Sequence, residues 1–66
     1  MRKQHEYGHI DEAPKDGEPI VGVCGGVEMV IFWCEDLPIP AWCYWDEDEG
    51  FGGVVKGDVK QWRKLF

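Results

Sequence analysis

The sequence predicts a mainly β domain, a small antiparallel sheet built as a meander of four to five strands, and two observations carry that expectation. Short runs rich in Val, Ile and aromatic residues recur at Ile20 to Cys24, Val27 to Cys34, Ala41 to Trp45 and Phe51 to Val55. Turn-forming clusters separate them, at Ala13-Pro14-Lys15-Asp16-Gly17, Gly25-Gly26, Leu37-Pro38-Ile39-Pro40 and Asp46 to Gly50. With 66 residues the chain holds a single small domain, 1–66, and a domain of that size buries only about 60% of the surface its unfolded form exposes. Four Trp, three Phe and two Tyr supply large apolar area per residue, so the aromatic side chains are expected mostly inside.

Taken in order, residues 1–9 are polar and without period, which reads as a flexible arm pinned by Tyr7 and Ile10. Pro14 and the Asp16-Gly17 pair make a turn, and the first strand follows at Ile20 to Cys24. Gly25-Gly26 is a two-residue connection of the kind that closes a tight hairpin onto Val27 to Cys34. Both faces of that second strand are largely apolar, which places it between neighbours. The two prolines of Leu37 to Pro40 cannot donate to a ladder, so that stretch is a connector. Ala41 to Trp45 is the third strand, and Phe51 to Val55 a fourth, weakened and bulged by Gly52 and Gly53. Two readings of the last stretch compete. In one, Val59 to Trp62 is an edge strand that finishes the meander; in the other, Asp58 and Gln61 form a capping box for a short C-terminal helix sharing Val59, Trp62 and Phe66 on one face.

Charge narrows the function. The chain has 13 acids against 7 bases, a net −6, and between Asp16 and Asp58 ten acids face only Lys56. Such a field repels nucleic acid and anionic lipid and attracts basic proteins, so neither direct nucleic-acid binding nor membrane binding is expected. The first 15 residues are polar and the longest apolar run is interrupted by Glu28, which predicts a cytoplasmic protein without signal peptide or membrane span. Cys24, Cys34 and Cys43 lack the paired spacing of a zinc site and read as free thiols, a cross-strand disulfide being the alternative.

The inventory for catalysis is poor. Ser and Thr are absent, and the cysteines that could pair with His5 or His9 lie among apolar strand neighbours where thiols stay protonated. Gly25-Gly26 and Gly52-Gly53 lack the spacing and ending of a phosphate loop. Asp46, Asp48 and Gly50 lack the terminal ligand of a calcium loop, and His5 and His9 would share a metal only on a helix that Gly8 opposes. No enzyme activity, cofactor or metal is expected. Asp46-Glu47-Asp48-Glu49 is the distinctive local feature. If extended, its alternate carboxylates lie about 6.6 Å apart, close to twice the axial phosphate repeat of about 3.4 Å along a DNA strand. Glu35 and Asp36 on the preceding connector extend the candidate partner-binding set, and strand order decides whether the two groups join. The competing reading is a solvated turn whose acids keep an edge from aggregating. Trp42, Tyr44 and Trp45 are candidates for a sticky aromatic cluster.

The segment Ile10 to Val21 with its Ala-Pro-Lys-Asp-Gly core, the stretch Val30 to Trp33, and Asp58 to Leu65 with Val59-x-x-Trp62 resemble a family of short phage and prophage proteins of unknown function. Lys64 and Phe66 depart from that pattern, where the family tends to carry proline. The resemblance implies a phage or mobile-element origin and no chemistry. By size and charge the chain is also similar to phage anti-CRISPR proteins as a class. That likeness implies an inhibitor, monomeric or a weak homodimer, in the bacterial cytoplasm. Its expected partner is a host defence protein, such as a CRISPR surveillance complex, whose basic DNA-binding surface it occupies by acidic mimicry. The alternative is an accessory phage or prophage protein with no specific acidic site.

Overall fold

The computed structural model describes residues 7–65, which form one five-stranded antiparallel sheet. The strands are β1 (Gly8–His9), β2 (Ile20–Cys24), β3 (Val27–Cys34), β4 (Ala41–Tyr44) and β5 (Gln61–Arg63), with a 3-10 turn at Ile10–Glu12. Spatial order is β1-β5-β2-β3-β4. The expected antiparallel sheet is therefore present, and no α-helix occurs among the described residues. The residues 1–6 of the expected arm lie outside those described, while its end, Gly8–His9, is hydrogen-bonded into the sheet against β5.

The β2–β3 hairpin forms for local reasons. Gly25 and Gly26 adopt φ of +61° and +83°, the two positive values that let a two-residue turn match the twist of its strands. That turn sets the register in which Ile20 opposes Ile31 and Gly22 opposes Met29. β3 is then flanked on both sides, by β2 and by β4, as its two apolar faces require.

Three expectations change. β4 stops at Tyr44, and of the strand expected at Phe51 to Val55 only a single bridge forms, between Val54 and Cys43. The reason is a bulge: Tyr44 donates to the Gly53 carbonyl at 2.8 Å and accepts from the Gly52 amide at 2.8 Å, so two glycines oppose one residue. The last strand begins at Gln61 rather than Val59, and it is not an edge. It returns across the molecule to pair with β2, through Val21–Arg63 and Gly22–Trp62, and is covered on its other side by β1. With β2, β3 and β4 it makes the order of a Greek key rather than a simple meander. Finally, the fully buried side chains are Ile31 and Cys43, joined by Ala13, Ile20 and Val21, while every aromatic ring among the described residues keeps some exposure. A single sheet this small leaves only aliphatic and small side chains wholly enclosed, and the larger rings close around them.

The sheet has two unlike faces. On one, Ile20, Ile31, Met29, Trp42, Tyr44 and Trp62 meet Ile10 and Ala13 from the N-terminal turn and Val55 and Val59 from the connector before β5. Space on this face depends on two glycines that flank Trp62 in neighbouring strands, Gly8 and Gly22. A methyl group on Gly22 would lie 2.4 Å from Ile31 Cδ1 and 3.1 Å from Val59 Cγ1, and one on Gly8 would lie 2.9 Å from Trp62 Nε1. Trp62 Nε1 is itself buried without a hydrogen-bond partner, a cost of about 1–3 kcal/mol. Gly22→Ala should therefore lower stability by about 1–3 kcal/mol through overpacking around a side chain with nowhere to go. Trp62→Phe should cost much less than removal of the ring by Trp62→Ala, because Phe keeps apolar area and deletes the orphaned donor. Urea unfolding of the three variants checks both statements.

Candidate functional site

The six expected binding carboxylates fall into two groups. Glu35 and Asp36 follow the end of β3, beyond the Cys34–Ala41 pair, and Asp46 to Glu49 follow the end of β4, beyond the Ile31–Tyr44 pair. Extending that register sets Asp46 level with residue 29, six residues along β3 from Glu35, or roughly 20 Å at about 3.3 Å per residue. The two groups occupy opposite ends of the β3–β4 hairpin and do not merge into one patch.

The run Asp46 to Glu49 is also not extended. The Gly50 amide donates to the Asp46 carbonyl at 2.6 Å, and the Asp46 carboxylate accepts from the Asp48 amide at 2.8 Å and the Glu49 amide at 3.3 Å. Asp46 thus closes a tight turn in the manner of a helix N-cap, since its short side chain reaches amides that the turn leaves unpaired. The regular two-residue comb expected for an extended strand is absent. Glu47, Asp48 and Glu49 project from this turn and are exposed. Glu35 has a local task as well, accepting from Trp33 Nε1 at 2.7 Å. Trp33 stands edge-on to Trp42, with centroids 5.1 Å apart, and carries the Lys15 ammonium 4.7 Å over its ring. None of the six carboxylates is ion-paired with a lysine or arginine among the described residues.

The opposite case is Glu28, which the sequence marked only as an interruption in an apolar strand. Its carboxylate accepts from Arg63 Nη2 at 3.1 Å and Nε at 3.2 Å, and from the Tyr7 hydroxyl. This bidentate pair ties β5 to β3 across β2 and draws the residue before β1 to the same point. The hydrogen bond to Glu28 raises the Tyr7 phenol above its ordinary value, with burial adding to it, and the Arg63 guanidinium is held above its own value chiefly by Glu28. No motif could have announced this cluster, because its members lie 21 and 35 residues apart in sequence.

All three cysteines are free. Cys43 is wholly enclosed, and burial, followed by the neighbouring Cys34 thiol, pushes its thiol up, away from the reactive thiolate. His5 lies outside the described residues, and His9 stands in β1 with Nδ1 3.5 Å from the Asp11 carboxylate. No group of three or more His, Cys, Asp or Glu side chains suited to a metal occurs among the described residues. No helix among them is long and apolar enough to cross a membrane. Compared with known proteins, the chain matches no family model, no curated protein and no solved structure.

The Tyr7 contact carries a definite sign. A phenol whose folded value is raised contributes stability that is present below the ordinary tyrosine range, near 10, and lost as pH rises through the folded value. Tyrosinate absorbance should show one residue titrating late in the native protein. Glu28→Gln should bring that titration back toward the ordinary range, and Tyr7→Phe should remove it.

Proposed function

We propose that the protein is a phage-derived, non-enzymatic inhibitor of a host defence system, acting in the bacterial cytoplasm by occupying a basic nucleic-acid-binding surface. The observation that supports this reading is the state of the acids. Among the described residues, the carboxylate that pairs with an arginine, Glu28, is outside the candidate set, whereas Asp36, Glu47, Asp48 and Glu49 are exposed and carry no lysine or arginine partner there. Their charge is thus available to an external cation, and with a net −6 it steers association with basic proteins.

The form of mimicry follows from the geometry. Two acidic ends roughly 20 Å apart span about six phosphate steps of a single strand at about 3.4 Å each. The protein would present two negative points with a gap between them, in place of a continuous comb. Contact with Lys and Arg at both points would block DNA entry to a CRISPR surveillance complex by sterics and charge, with no chemistry.

A second reading is an accessory phage protein whose acids only keep it soluble. It is favoured by the local tasks of Glu35 and Asp46, which hold Trp33 and the turn rather than stand free. The two readings separate on charge reversal at positions that have no local task. Under the inhibitor reading, changing Glu47, Asp48 and Glu49 together to Lys abolishes protection of a phage against CRISPR interference in a host carrying such a system, with unfolding by urea little altered. The same reversal leaves the accessory protein's behaviour in that assay unchanged from wild type. Protection that survives the reversal rules out action through this turn.

A further inference from the structure

The face of the sheet opposite the N-terminal turn is apolar over its β3–β4 half. Register places Phe32 beside Cys43, and Cys43 beside Val54, in one row across the strands. In the next row Val21 pairs with Val30, and the Trp45 amide donates to the Val30 carbonyl at 3.0 Å, which sets Trp45 at the end of that row. Phe32 and Trp45 meet edge to face with centroids 5.5 Å apart. The small Cys43 is enclosed beneath them, yet Trp45 keeps 39% and Val54 45% of its surface open. The groups that pack the core, Ile10, Ala13, Val55 and Val59, are gathered on Ile20 and Ile31, which point to the other face.

This apolar patch ends at the acidic turn, because Trp45 is followed directly by Asp46 to Glu49. On its far side, toward β5, the polar boundary is the Glu28–Arg63 pair, an acid already matched by a base of its own chain. Apolar surface bounded on one side by acids without a basic partner and on the other by an ion pair has a definite complement: a segment with apolar side chains on one face and Lys or Arg beside the acids. A second copy of this chain does not meet that description, since it brings the same acids and another net −6 to the contact. Charge complementarity selects a basic partner instead.

We propose that Phe32, Trp45 and Val54 form the apolar anchor of an interface whose occupant is a basic, amphipathic segment of a partner protein, with Glu47, Asp48 and Glu49 pairing its cations. The proposal rests on the reading of a basic partner and adds that charge alone does not hold it. An aromatic anchor excludes water from the neighbouring charge pairs and so strengthens them. The partner's apolar side chains supply the specificity that an acidic turn lacks.

Three synthetic peptides of equal length test it: one alternating Lys with Leu, one alternating Lys with Ser, and one alternating Glu with Leu. Binding is read by the amide and indole shifts of the isotope-labelled protein, with sedimentation of the protein alone as a control. The Lys–Leu peptide should bind and move the signals of Phe32, Trp45 and Val54. The Lys–Ser peptide should bind at least about tenfold more weakly, and the Glu–Leu peptide should not bind. Val54→Asp is the discriminating variant, because it adds an acid while removing apolar surface. Anchoring predicts weaker Lys–Leu binding, and attraction by charge alone predicts stronger. Val54→Asn, which adds no charge, keeps the test decisive if the Asp variant unfolds. Equal affinity for Lys–Leu and Lys–Ser overturns the anchor and leaves the basic-partner reading standing. Failure of both basic peptides overturns the two together, and a wild-type dimer that Val54→Asn disrupts assigns the face to a second copy.

Discussion

The sheet is organised around the seat of Trp62. Its neighbours across the strands on either side are glycines, Gly8 in β1 and Gly22 in β2, and the indole lies against the Gly8 position, which carries no side chain. A large ring laid over a glycine restores the packing that the missing side chain forfeits. The same arrangement lets the Ile31 side chain occupy the space above Gly22 and become fully buried. Substituting either glycine would push on the ring or on Ile31, and both are held by the core. Because Trp62 belongs to the last strand, this seat also decides topology: the chain must leave β4, pass beyond the bulge at Gly52-Gly53, and come back to β2.

That return explains the division of labour among the charged residues. β5 brings Arg63 alongside β2, where its fork reaches Glu28 on β3 and where the Tyr7 hydroxyl converges from the start of β1. One acid in the middle of the sheet is thereby consumed as a structural tie. Among the acids at the two ends of the β3–β4 hairpin, Asp36, Glu47, Asp48 and Glu49 lie beyond that arginine and are exposed to solvent.

The two faces of the sheet meet different fates. One is roofed by the N-terminal turn and the connector before β5, and it supplies the core. The other is partly capped by the Tyr7–Glu28–Arg63 cluster, and over β3 and β4 it remains apolar with Trp45 and Val54 partly open. A single sheet of this length has more apolar surface than its short connections can cover. The uncovered part lies next to the acidic turn, which gives the charge an apolar neighbour.

What the sequence determined by itself is what neighbours in the chain decide. The hairpin of β2 and β3 is legible because two glycines between two short apolar, β-branched-rich runs are enough to specify it. The antiparallel class, the connector at Leu37 to Pro40 and the bulge at Gly52-Gly53 follow from local chemistry in the same way. The return of β5, the Trp62 seat, the Tyr7–Glu28–Arg63 cluster and the separation of the two acidic ends belong to the tertiary structure. Each depends on residues far apart in sequence meeting at a register that no local pattern encodes. The turn at Asp46 stands between these cases: its acids were visible, but they fold back because the Asp48 and Glu49 amides bond the Asp46 carboxylate.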